Sequence, residues 1–175
     1  LSECKDMQFP EIKKDRHVWS FNNGLYIGKE WNPKEGIWIS RFYKYDSEEY
    51  GYLDPTIVSS KYFDKNFEDY THLENWRDIP TPHFDSIMTY QKFEEEVCNW
   101  MFVMGGKMCF DVGEIDGWQI IPFLKGIARS GKSTIITKVF KKFYESDDVR
   151  TLSNNIERKF GLSSICDGFM FIAPE

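Results

Sequence analysis

No run of apolar residues approaches the roughly 18 that a membrane-spanning helix needs. Residues 1–20 set Lys5, Lys13, Lys14 and Arg16 among acids, without the apolar stretch of a leader peptide. A soluble protein with no membrane partner is therefore expected. Cysteine is scarce: Cys4, Cys98, Cys109 and Cys166 stand far apart, with no C-x-x-C pair and no histidine cluster nearby. A zinc site needs several close ligands, so reduced core thiols and an intracellular compartment are expected. The three histidines, His17, His72 and His83, are isolated and read as surface or satisfied core groups rather than metal ligands. No internal repeat or low-complexity tract is visible.

What the chain does have is apolar and aromatic content, 41% and 17% of 175 residues, which suits a packed core and excludes a disordered segment. That length suits one domain, or a small domain and part of another. The chain begins at Leu1 and stops at Glu175, directly after the apolar run Phe169–Ala173. Termini usually lie at loosely packed positions, so a fragment of a longer protein is expected. The net charge of −6 is uneven: residues 1–115 hold 13 Lys/Arg against 21 Asp/Glu, and residues 116–175 hold 9 against 7. A chain-wide nucleic-acid surface is excluded, and any grip on DNA must come from local patches.

Residues 17–50 mix aromatics with the turn signals Asn22-Asn23-Gly24 and Asn32-Pro33, predicting short strands such as Gly36–Ile39. Residues 54–82 are polar and aromatic and predict short helices or irregular structure. Thr81-Pro82 suits a helix start, and Ile87, Tyr90, Val97, Met101 and Met104 recur at helical spacing, so one amphipathic helix is expected over 82–104, ended by Gly105-Gly106. Glu94-Glu95-Glu96 reads as its solvated face. Composition changes near 113–116, where the strand pattern Trp118–Leu124 begins, and the domain boundary is placed there.

The run Gly126-Ile127-Ala128-Arg129-Ser130-Gly131-Lys132-Ser133-Thr134 carries the chemistry. It meets the pattern G-x-x-x-x-G-K-[ST], in which glycines let backbone N–H groups curl around phosphate oxygens, the lysine reaches the outer phosphates and the hydroxyl holds Mg²⁺. An apolar strand pattern precedes the loop, and Ile135, Ile136, Val139, Phe140, Phe143 and Tyr144 follow at helical spacing. Pro122 fits poorly inside the strand. A P-loop ATPase also needs an acid after a second buried strand, to hold the Mg²⁺ shell and polarise the attacking water, the part that Glu175 would take. Phe169–Ala173 followed by Pro174-Glu175 is the candidate, and an ordinary strand with a terminal charge is its rival reading. Arg129 stays open between a phosphate contact and a solvated side chain.

The loop, the stretch Leu152-Ser153-Asn154-Asn155-Ile156-Glu157-Arg158-Lys159-Phe160-Gly161-Leu162 and Phe169–Glu175 together resemble the superfamily 3 helicases of large DNA viruses, in particular the helicase part of primase–helicase replication proteins. Phe21–Gly24, Lys61–Asp64, Trp76–Pro82 and Gly117–Gln119 resemble the segment ahead of the ATPase in that family. The resemblance implies an AAA+-like ATPase that forms a hexameric ring and unwinds DNA 3′ to 5′ in the infected cell's cytoplasm or nucleus. Lys132 and Ser133 would bind ATP and Mg²⁺, and Glu175 would stand at the second acidic motif. Sensor, pore loop and arginine finger would lie beyond Glu175, so the fragment alone is not expected to unwind DNA.

The expected fold class is α/β. A mixed, largely helical N-terminal region (1–115) precedes the start of a P-loop NTPase parallel sheet (116–175). Two rivals remain: a P-loop nucleotide kinase, and a non-hydrolysing nucleotide-binding or oligomerisation module of a replication complex.

Overall fold

The computed structural model describes residues 12–152 and 167–173. The chain divides into two compact units, Leu1–Phe67 and Glu68–Glu175. The composition change at 115/116 falls inside the second.

The first unit is a mixed four-stranded sheet rich in the aromatic and β-branched residues that suit a pleated, half-buried surface. Strands β1 (Lys13–Phe21) and β2 (Gly24–Asn32) form an antiparallel hairpin across Asn22 and Asn23. Strand β3 (Ile37–Lys44) adds antiparallel to β2. The chain then passes through a 3-10 turn at Glu49–Tyr52 and lays β4 (Ile57–Phe63) parallel to β1, giving the order β3-β2-β1-β4.

Alternation along the strands sends Val18, Ile27 and Tyr43 into one core with Leu25, Tyr50, Leu53 and Ile57. The alternate positions Phe21, Tyr26 and Phe42 gather around Phe67, whose ring centroid lies 5.1, 5.1 and 4.6 Å from theirs. Asn23 holds Phe67 there: its side-chain amide donates to the Phe67 carbonyl at 3.0 Å and accepts from the Phe67 N–H at 2.8 Å. A Cβ on Gly24 would run into the Tyr43 carbonyl and the Phe42 ring, so the turn needs a glycine for close approach.

This sheet overturns the expectation of a largely helical region before residue 115. The strand least visible in the sequence is β4, whose Ser59 and Ser60 break the apolar pattern. The pairing consumes both: Ser60, 1% exposed, donates to the Val18 carbonyl at 2.8 Å, and the Ser59 and Ser20 hydroxyls lie 2.8 Å apart.

The second unit is mainly helical in its described part. Helices α1 (Pro82–Tyr90) and α2 (Glu95–Lys107) replace the single helix expected over 82–104. Lys92 adopts a left-handed φ of 54°, the Phe93 N–H donates to Met88 O at 3.2 Å, and the Lys92 N–H donates to Thr89 O at 3.0 Å. These are the bonds of a Schellman stop, built on lysine where glycine is usual, which is why periodicity alone runs through it. The Thr81 hydroxyl donates to the Asp85 carboxylate at 2.9 Å instead of capping an amide. Gly105-Gly106 does not end α2. Gly105 is buried, and a Cβ there would stand 3.2 Å from the Phe140 ring, so the residue serves close packing.

Helix α3 (Lys132–Lys138) follows the loop and gives way to a 3-10 turn at Phe140–Phe143. Ile135, Ile136, Thr137 and Val139 are β-branched and poor at extending a helix, which accounts for its seven residues. Its apolar side joins α1 and α2: Met88, Met101, Ile135 and Phe140 form the core, with Phe84, Cys98, Phe102 and Leu124 packed on it.

The expected P-loop parallel sheet is likewise overturned. Residues 118–124 form no strand, and Ile121 and Phe123 are 91% and 76% exposed. Pro122 has no N–H to give a ladder. Among the described residues of this unit, pairing is confined to the short parallel strands β5 (Val149–Thr151) and β6 (Met170–Ile172). The Cys109 thiol donates to the Gly105 carbonyl at 3.8 Å, and no helix among the described residues is long and apolar enough to cross a membrane. Cys4 and Cys166 lie outside the described residues.

Candidate functional site

The loop Gly126–Gly131 runs at the surface between Leu124, which packs on the helical core, and α3, whose Ile135 is buried in the same core. These two apolar anchors hold its ends. Between them φ alternates in sign: positive at Arg129 (63°), not positive at Ser130, and positive at Gly131 (88°). Inside the turn the Ser130 N–H donates to the Ile127 carbonyl at 3.4 Å. Arg129 holds a conformation that a side chain resists, whereas Gly131 adopts it freely.

Gly126 closes the turn. A Cβ there would lie 3.1 Å from the Ser130 hydroxyl and 3.7 Å from Lys132 Cδ, so a side chain would press on both. The Lys132 ammonium folds back across this gap, donating to the Gly126 carbonyl at 2.7 Å and the Ile127 carbonyl at 3.0 Å. Helix α3 begins with the Ile135 N–H donating to Gly131 O at 3.0 Å, and Ser133 and Thr134 follow on exposed positions. Ile127, Ala128 and Arg129 are exposed as well.

The structure therefore gathers Gly126, Ser130, Gly131 and Lys132 into one turn, with Ser133 and Thr134 on the first turn of α3. Glu175 and Pro174 lie outside the described residues, as does the Ser153–Leu162 part of the stretch that carries the family likeness. Among the described residues no group of three or more His, Cys, Asp or Glu could hold a metal ion. Ser133, whose hydroxyl is expected to hold Mg²⁺, stands exposed on the first turn of α3. One neighbour escaped the sequence reading: the Gln91 side-chain amide comes within 3.9 Å of where a Gly131 Cβ would stand. No local pattern marks Gln91, since it reaches the loop through the stop that ends α1.

Upstream, the Lys107 ammonium donates to the Asp116 carboxylate at 2.6 Å, and the Trp118 N–H donates to it at 2.8 Å. These bonds hold the Asp116 carboxyl below its ordinary range, the Lys107 bond contributing most. They tie the start of the segment leading to the loop back to the end of α2. The arrangement places an ammonium, held by two carbonyls, at the mouth of a surface turn. No family model matches the chain, and neither a curated protein nor a solved structure matches it.

Proposed function

We propose that this chain is the ATP-binding part of a replicative DNA helicase of the viral superfamily 3 kind, with residues 126–134 holding the triphosphate. The observation that carries the reading is the Lys132 ammonium resting on the Gly126 and Ile127 carbonyls at 2.7 and 3.0 Å. Neutral carbonyls are weaker partners for an ammonium than phosphate oxygens, whose bonds are charge-assisted, so the cation is poised to exchange one for the other. The amides of 129–131 would donate to phosphate oxygens once the Ser130 N–H leaves the Ile127 carbonyl, 3.4 Å away, Lys132 would neutralise the outer phosphates, and Ser133 would contribute its hydroxyl to Mg²⁺. Glu175 is assigned the acidic role of positioning water. Bound ATP would supply the phosphoryl bond whose hydrolysis drives strand separation in a hexameric parent protein.

The test is titration with a fluorescent ATP analogue and Mg²⁺. Lys132→Ala is expected to weaken binding at least about tenfold, the scale of a lost charge-assisted contact, with circular dichroism unchanged. Equal affinity in the variant would sink the assignment. In the parent protein, single-stranded DNA should raise phosphate release. Phosphoryl transfer to a nucleotide would point to a kinase, and binding without turnover to a recruitment module.

A further inference from the structure

The open edge of the sheet, β3, carries an aromatic and cationic platform that the phosphate loop does not use. Trp31 on β2 and Trp38 on β3 stand directly opposite each other, their rings 5.2 Å apart at 65°. They are 49% and 46% exposed, and neighbouring Ile37 is 49% exposed. The Lys29 ammonium lies 4.6 Å over the Trp38 ring. Along β3 the charged residues are Arg41 and Lys44, with no acid in the strand. Lys34 lies on the exposed 33–36 loop, beside Glu35. Of the acids beside the platform, Glu30 is engaged within the protein, since the Tyr43 hydroxyl donates to it at 2.5 Å and Arg41 lies 3.7 Å away, and Glu35 stands next to Lys34 in the loop.

We propose that this edge binds single-stranded DNA, its bases stacking on Trp31 and Trp38 and its phosphates meeting Lys29, Lys34 and Lys44. Half-exposed indoles flanked by cations form the pairing by which proteins hold a single strand, since every base offers a π-face and every linkage a negative charge. A duplex keeps those faces buried in its own stack. A peptide strand adding to β3 would be held by backbone groups and would have no need of cations around the indoles. The inference stands apart from the nucleotide reading, because the platform lies wholly within the sheet and is assayed without ATP.

The test is fluorescence anisotropy of the 175-residue chain with a labelled oligothymidylate of about 15 nucleotides, the upper range of a single-domain site. Single strand should bind more tightly than duplex of equal length. The doubly substituted Trp31→Ala/Trp38→Ala protein should lose about tenfold or more in affinity. The doubly substituted Trp31→Phe/Trp38→Phe protein should keep most of it, which separates stacking from misfolding. Lys34→Ala should lower the salt slope by about 0.7, the value for one phosphate contact on a single strand. Three results would overturn the proposal: unchanged affinity in the alanine protein, duplex bound as tightly as single strand, or absence of DNA binding together with a Trp-dependent dimer, which would assign the edge to a second copy of the chain.

Discussion

The sheet unit and the helical unit solve the burial problem differently. In β1–β4 each strand pairs with at least one neighbour, and each face carries a cluster, one of Val18, Ile27 and Tyr43, the other of the rings around Phe67. Among α1–α3 the buried side chains Met88, Met101, Ile135 and Phe140 form one core, and Tyr144, Val149 and Met170 are buried further along the same unit. The segment beside that core leaves Ile121, Phe123 and Ile127 exposed at 91, 76 and 82%. The candidate phosphate loop is in this second unit, beside that exposed segment. Its geometry depends on few contacts, so local opening should come more readily there than in the sheet.

The contrast can be broken most sharply at Phe140, which links Gly105 on α2 to the side of α3. Phe140→Ala should cost about 3–5 kcal/mol, read by urea unfolding, and should speed amide exchange in α1–α3 more than in β1–β4. Equal acceleration in both would show that the contrast is false. A smaller effect is expected at Asn23, the polar clasp of the sheet. Asn23→Ala leaves the Phe67 N–H and carbonyl without these partners and should cost about 2 kcal/mol, with near-ultraviolet dichroism reporting loosened rings. A cost near zero would mean that ring packing alone holds Phe67. The smallest effect sharpens the comparison from the other side. Lys92→Gly relieves a left-handed lysine and should raise stability by about 0.5–1 kcal/mol, seen as a higher unfolding midpoint. A lower midpoint would show that the lysine side chain contributes more than its backbone costs.

Local chemistry was readable in the sequence wherever one residue type decides the outcome. The Asn22–Gly24 turn, the strand through Ile37–Ile39, the helix start at Pro82 and the strand at 170–172 all follow from short patterns. Within the loop, glycine at 131 was legible as a conformational need, and its φ of 88° meets it. The failures lie where tertiary contact outweighs pattern. Ser59 and Ser60 concealed a strand because their hydroxyls are satisfied by partners about 40 residues away. Lys92 concealed a helix stop because its composition is ordinary. Trp118–Leu124 reads as a strand by its apolar run, yet a strand requires a neighbour to accept its hydrogen bonds, and among the described residues none pairs with it.

The parallel pairing of β1 with β4 has a consequence for the order of events in folding. The β1–β2 and β2–β3 hairpins close over short loops and can form on the microsecond scale of local turns. Lys13 meets Ile57, and Phe21 meets Phe63, only after the intervening chain has been brought round at the entropic expense of closing a long loop. The last strand therefore arrives late, and until it does β1 presents an open edge. Phe67, four residues past β4, can complete the ring cluster only after that closure, so the Asn23 clasp acts as the latch on the slowest step of the sheet's assembly.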